Sequence, residues 1–252
     1  MNKSTEVQRV SKLMAHRKMC SRREAEKLID SGAVLVNGEV LKEQGVKVAV
    51  NSTISIIEEK DNLLSKQFAI LFHKPDGIVS NLPQDEQKAA FELISEENLT
   101  GDIPKEKLEM ILKDIPDYAV AGRLDRASRG ALILTNNGRL VKAITGGNKI
   151  KKVYTVRVES DVNETMLKEL NGVIHLAGDT LKPMVVKKIN DRTLIFELIE
   201  GKKHQIRRVC RIVNLNVMSL FRTDVGVLSV LNLPEGNWRM ITKEEIEVFI
   251  KT

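Results

Sequence analysis

Asp125 stands among three arginines in the stretch Gly122-Arg123-Leu124-Asp125-Arg126-Ala127-Ser128-Arg129-Gly130. The bounding glycines, the apolar run from Ala131 to Thr135 and the Asn136-Asn137-Gly138 turn make this a loop that feeds a strand. Nearby cations favour the ionised carboxylate. An ionised carboxylate on a loop held by a strand can act as a nucleophile or as an electrostatic stabiliser. The same residues also suit a turn-forming aspartate paired with a neighbouring arginine, and this stretch does not choose between the two.

The other residues suited to meeting an anion are gathered further along. A strand over Thr193–Ile199 leads into Glu200-Gly201-Lys202-Lys203-His204-Gln205-Ile206-Arg207-Arg208-Val209-Cys210-Arg211. Ile206, Val209, Cys210 and Val213 recur at helical spacing, leaving Arg207 and Arg211, one turn apart, to share another direction. From Lys202 to Arg222 there are six Lys and Arg and no acid, a candidate surface for phosphates. Lys74, before the Pro75-Asp76-Gly77 turn, suits a phosphate contact, a brace for a site or a solvated turn position. Tyr154 is one of two tyrosines, in a strand over Lys151–Val158, and suits either packing or base stacking.

The N-terminal stretch carries its own basic element. Val10, Leu13 and Met14 predict an amphipathic helix from Val7 to Arg17, and Ser21-Arg22-Arg23-Glu24 has the form of a capping box opening a second helix. Arg22 and Arg23 then fall in a helical first turn, where backbone N–H groups already favour an anion. Residues 1–30 hold eight Lys and Arg against four acids. Val34 and Val36, the Asn37-Gly38 turn and Val40 predict a hairpin, with one or two further strands between Val46 and Ile56. A polar linker is expected at 58–66 and a buried strand over Phe68–Phe72.

From Asp85 to Asp117 the balance reverses to ten acids and four lysines, with Leu108, Ile111, Leu112 and Ile115 on one helical face. This segment is expected to be a peripheral helical insertion away from any nucleic-acid face. Short helices are expected at Arg139–Ile144 and Asn163–Asn171, strands at Val225–Leu233 and Trp238–Ile241, and a capped closing helix from Thr242.

The chain has 252 residues, 42% hydrophobic and 29% charged, and a formal net charge of +6. That is enough for one large domain or a medium domain with a small one, and the charge suits a phosphate-bearing partner. Cys20, Cys210 and the four histidines show no metal-ligand spacing, so no metal is expected. No stretch approaches a membrane span, and Met1–Glu6 lacks a signal-peptide core, so the expectation is a cytoplasmic protein with reduced thiols.

The run Ser21–Ile29, with Gly32 and Val36-Asn37-Gly38, resembles the S4 RNA-binding domain. Five further landmarks follow in order: Lys74-Pro75-Asp76-Gly77; Gly122-Arg123-Leu124-Asp125 with Ser128-x-Gly130; Leu134-Thr135-Asn136-Asn137-Gly138; Lys152-Val153-Tyr154; and Gly201-Lys202-Lys203-His204-Gln205-Ile206-Arg207-Arg208. Together they resemble the rRNA pseudouridine synthases of the RsuA type across essentially the whole chain, nearest to the large-subunit members of the RluF type. The resemblance implies an α+β protein: a small S4 domain (αL-like) over 5–57, the linker, and a catalytic domain over 67–252 built on a large, mainly antiparallel sheet flanked by helices. It implies isomerisation of uridine to pseudouridine in ribosomal RNA, without a cofactor, by a monomer. By the same resemblance Asp125 is the nucleophile, Arg207 pairs with it, Tyr154 stacks on the flipped base, and Arg123 enters the RNA stack in place of the extruded nucleotide. Arg22, Arg23, Lys74, Lys202, Lys203, His204 and Arg208 are the expected RNA contacts.

Two departures concern target choice: Ala131 follows Ser-x-Gly where a bulky apolar residue is usual, and the acidic segment lengthens the spacing from Lys74 to Asp125. Competing readings are a non-catalytic RNA-binding protein, a synthase acting on small-subunit rRNA or tRNA, a DNA-binding regulator using the capped basic helix, and a hydrolase using Asp125.

Overall fold

The computed structural model describes residues 6–17, 19–57, 67–146, 149–176 and 178–251. The chain divides into two compact units, Met1–Phe68 with Asn136–Arg139, and Ala69–Thr135 with Leu140–Thr252. The linker expected at 58–66 lies outside the described residues.

The first unit contains β1 (Val7–Arg9), α1 (Val10–His16), α2 (Arg22–Asp30), β2 (Val34–Val36), β3 (Glu39–Leu41), β4 (Lys47–Ala49) and β5 (Ile54–Ile56). The first helix thus starts three residues later than its periodicity predicts, because Val7–Arg9 pair antiparallel with β4 and find their backbone partners there. The second helix starts where the capping box places it. Ser21 Oγ accepts from the Glu24 amide at 3.2 Å, and the Glu24 carboxylate accepts from the Ser21 amide at 2.5 Å. Asn37 and Gly38 take the two positive φ angles, 51° and 89°, that a tight hairpin between β2 and β3 requires. Val10, Leu13, Met14, Ala25, Leu28, Ile29 and Val34 close a core of their own beneath these elements.

The second unit runs β6 (Ala69–Lys74), a 3-10 turn (Ala90–Leu93), α3 (Lys105–Asp114), β7 (Ala119–Val120), β8 (Arg129–Thr135), α4 (Gly138–Thr145, whose first two residues are counted with the first unit) and β9 (Lys152–Val158). It continues with α5 (Glu164–Leu170), β10 (His175–Leu176), β11 (Asp179–Thr180), β12 (Val185–Asn190), β13 (Thr193–Leu198) and α6 (Gln205–Ile212). β14 (Val217–Val225), β15 (Leu228–Ser229), β16 (Trp238–Met240) and α7 (Lys243–Lys251) complete it. Nine strands form one sheet in the order β12-β13-β9-β14-β8-β6-β16, with β15 beside β14 and β7 beside β8. Only the β14–β8 pair is parallel, so the sheet is mainly antiparallel and the protein is α+β. β6, paired on both sides by β8 and β16, is buried at all six positions. Leu71, Ala131, Ile133, Leu140, Ile144, Val225, Leu228 and Phe249 pack into a single core.

Two expectations are corrected here. The strand expected at Val225–Leu233 lies instead at 217–225, followed by the two-residue β15, and β12 was not anticipated. The polar Arg222 and Thr223 are 2% and 4% exposed inside β14, so the apolar pattern that marks a strand is interrupted where the chain is most buried. The acidic segment is also less detached than its composition suggests. The α-helix occupies only 105–114 of it, with 3-10 turns at 90–93 and 115–117, while Trp238 of β16 donates its indole N–H to Ser95 O at 2.7 Å and its backbone amide to Asn98 O at 3.0 Å. Thr100 N returns a bond to Trp238 O at 2.7 Å. The segment therefore covers the open edge of the sheet, which an exposed strand otherwise leaves unpaired.

Candidate active site

Asp125 lies on the loop between β7 and β8, and that loop is fastened on both sides of it. The Leu124 amide donates to Ser80 Oγ at 2.9 Å, and the Ser80 hydroxyl donates back to Leu124 O at 2.7 Å. The Gly77 amide donates to Arg126 O at 3.0 Å, and Arg126 Nε donates to Gly77 O at 3.0 Å. Pro75-Asp76-Gly77 is thus a backing turn for the aspartate loop. Arg207, from α6, places its guanidinium on Ala127 O, and its Nη1 reaches Val217 O at 3.1 Å. The carboxylate itself is left accessible, 36% exposed, with Oδ2 3.0 Å from Nδ1 of His204. With the carboxylate ionised, that ring nitrogen must carry the proton and donate it.

This arrangement corrects one expectation. Arg207 does not pair with Asp125; it holds the backbone two residues further on, and the hydrogen-bond partner of Asp125 is His204. His204 sits just before α6 with φ at 51°, a left-handed conformation uncommon for a side chain with a Cβ. Its ring was expected on RNA.

Beneath the loop, strand register sets a row of residues across five strands. Lys74 of β6 lies opposite Gly130 of β8, Gly130 opposite Arg222 of β14, Arg222 opposite Tyr154 of β9, and Tyr154 opposite Phe196 of β13. A bulge in β14 between Arg222 and Asp224 marks the centre of the row, a common device for re-aiming a side chain beside a site. Tyr154 is 8% exposed, and its hydroxyl lies 3.5 Å from Arg222 Nη1. Arg222 is the residue that sequence reasoning missed as more than a count of charge.

Lys74 is also corrected. It is fully buried, and its ammonium donates to Pro75 O and Ile78 O, each at 2.7 Å, so it braces the backing turn and does not face a phosphate. Burial lowers its pKa from 10.5 to about 8, with the Asp76 carboxylate opposing and the Arg222 charge assisting. Between pH 8 and 10.5 the unfolded chain therefore holds a proton at Lys74 that the folded chain has released, and stability from this group rises with pH across that window. Urea unfolding at pH 7.5, 9 and 10 should show wild type gaining relative to Lys74→Met as pH rises; a difference that stays constant would contradict this assignment.

Of the remaining expected RNA contacts, Lys203 is exposed, Arg208 is half-buried, and Lys202 is bound to Asp179 at 2.8 Å. Arg123 has an exposed side chain two residues before Asp125. Gln205 is buried and bridges the Lys202 amide and Glu200, which shapes the turn that delivers His204. Arg22 and Arg23 are exposed at the first two positions of α2, in the first unit. Among the described residues no helix is long and apolar enough to cross a membrane, and no group of three or more His, Cys, Asp or Glu could hold a metal ion.

A model of the RNA pseudouridylate synthases matches residues 68–211, and a model of the S4 domain matches residues 8–54. An RNA pseudouridine synthase of Aquifex aeolicus (strain VF5), named as uncharacterized, is 31% identical over 243 residues, 95% of this chain and 94% of that relative. The dual-specificity RNA pseudouridine synthase RluF of Escherichia coli (strain K12) is 30% identical over 244 residues, 94% of this chain and 77% of the relative. The crystal structure of a pseudouridylate synthase shares the fold, with a TM-score of 0.64 at 24% identity over 96% of this chain and 99% of the other. The pinned aspartate loop and the sheet strands from β6 to β13 fall inside the first of these matches, and the likeness to the Aquifex relative runs almost from end to end: the chain belongs to the RNA pseudouridylate synthase family and carries an S4 domain.

Proposed function

We propose that this protein converts specific uridines to pseudouridine in ribosomal RNA, chiefly of the large subunit, with Asp125 as the nucleophile. The observation that carries the reading is the contrast at Asp125, an accessible carboxylate on a backbone fastened at Leu124, Arg126 and Ala127. Such a group is oriented before substrate arrives, which is where positional catalysis gains most.

The reaction balances within the nucleotide. The N1–C1′ bond breaks, the base turns while held, C5 bonds to C1′, the C5 proton leaves and N1 gains a proton. No electron acceptor or donor is required. Asp125 attacks and later departs; His204 keeps one carboxylate oxygen in a fixed hydrogen bond; Tyr154 stacks on the flipped base and assists removal of its proton. Arg207 holds the Ala127 carbonyl, two residues after the nucleophile, and Arg123 fills the gap in the RNA stack. Extruding the nucleotide costs a few kcal/mol, which a side chain occupying the vacated position offsets. The S4-like domain over 5–57, through Arg22 and Arg23, and the catalytic domain over 67–252, through Lys203 and Arg208, both contact phosphates. The proposed working form is a cytoplasmic monomer.

The test is incubation of the purified protein with transcribed large-subunit rRNA, small-subunit rRNA and tRNA, followed by nucleoside chromatography for pseudouridine. Small-subunit rRNA and tRNA are included because they are the competing targets. Pseudouridine in the large-subunit transcript is the expected result, and none in any RNA would refute the proposal.

A further inference from the structure

Arg222 is 2% exposed, and its guanidinium is the centre of a hydrogen-bond fan. Nε and Nη2 donate to Ala131 O at 2.8 and 2.6 Å, Nη2 to Gly122 O at 2.8 Å, and Nη1 to Arg123 O at 3.4 Å and to the Tyr154 hydroxyl at 3.5 Å. Among the described residues it has no carboxylate partner. A buried cation without an anion is expensive unless its donors are satisfied, and here backbone carbonyls satisfy them. Only a planar fork of five N–H donors reaches so many acceptors at once, and arginine keeps its charge where a buried lysine loses it. Lys74 and Lys152, both close enough to feel the charge of Arg222, have lowered pKa values, chiefly through burial.

The three carbonyls have a common meaning. Gly122 and Arg123 are the residues that lead into Leu124 and Asp125, and Ala131 is the third residue of β8, the strand that leaves the loop. Tyr154 is opposite Arg222 in the sheet. We infer that Arg222 is a positioning residue: it ties the root of the Asp125 loop to β8 and to Tyr154, fixing the spacing between nucleophile and tyrosine. The inference rests on the function proposed above and deepens it. Arg222 is enclosed by these groups, so RNA does not touch it, and its loss acts on the chemical step and not on binding.

The experiment is steady-state tritium release from rRNA labelled at uridine C5, for wild type, Arg222→Lys and Arg222→Ala. Lysine offers one nitrogen in place of the planar fork, and that cannot span Gly122 O, Arg123 O and Ala131 O. We expect kcat to fall by about 100-fold in Arg222→Lys, with KM for rRNA within threefold of wild type, since misplacing a reacting group by about 1 Å has that effect on rate. Added guanidinium, at concentrations that leave wild type unaffected, should raise kcat of Arg222→Ala by about tenfold; equal urea should not. A purely structural role would not respond to the free ion. If Arg222→Ala does not fold, the kcat and KM of Arg222→Lys decide the question. A kcat within threefold of wild type, a loss carried by KM, or a folded Arg222→Ala indifferent to guanidinium overturns the inference. An inactive wild type would instead overturn the function itself, so the two failures are distinct.

Discussion

Asp125→Asn abolishes tritium release from C5-labelled rRNA, lowering kcat by about 10⁴-fold or more, while RNA affinity stays within a few-fold of wild type; this is the largest single-residue effect expected on activity. Asparagine occupies the same volume and can still accept from His204 Nδ1, so the loop keeps its shape. The fastenings at Leu124, Arg126 and Ala127 all involve backbone atoms that the substitution leaves alone. What is removed is the negative charge and the nucleophilic oxygen. Single-turnover kinetics with enzyme in excess would separate chemistry from binding. A residual rate above about one hundredth of wild type would be incompatible with covalent attack by this side chain.

Gly130→Ala is expected to give the largest loss of stability from a single methyl group. Gly130 holds φ at +115°, and a Cβ built there lies 2.1 Å from Arg222 O and 2.8 Å from Arg222 C and N. These are backbone atoms of the parallel partner strand, so no side-chain rotation relieves the overlap. Either β14 and β8 separate or Gly130 leaves its conformation. Backbone strain and overpacking each amount to about 1–3 kcal/mol, so the combined loss is on the order of 4 kcal/mol. For a domain of this size that lowers Tm by roughly 10 °C. Because the displaced strand carries Arg222, activity should fall even below the melting transition. Calorimetry showing a Tm within about 2 °C of wild type would show that the strands accommodate a side chain there.

How much of this was legible depended on the range of the interaction. Helix α2, the hairpin at Asn37-Gly38 and the closing helix at Lys243 are written in neighbouring residues: a Ser-x-x-Glu box, a turn needing two positive φ angles, a Thr242–Glu245 cap. The Asp125 loop was visible for the same reason, since its glycines and arginines are consecutive. Arg222 was not. Its partner Gly122 is 100 residues away, and nothing near Arg222 in the chain reports that a carbonyl cluster will surround it. The same blindness hid β14, whose buried polar residues break the apolar pattern, and misjudged Lys74, which shares the burial of the whole of β6 between β8 and β16. Arg207 and His204 illustrate a subtler failure. Both stand at the start of one short helix, and which of them reaches the carboxylate is decided by the left-handed turn at His204, a backbone conformation that residue type alone does not announce.

The measurement that tests the central claim most directly is a pseudouridine map of ribosomal RNA in cells. Carbodiimide modification followed by reverse transcription would be applied to rRNA from cells lacking this protein, and from the same cells carrying wild type or Asp125→Asn. The account predicts a stop that disappears in the deletion, returns with wild type and stays absent with Asp125→Asn. A map that is unchanged by the deletion, or a stop restored equally by Asp125→Asn, would contradict it.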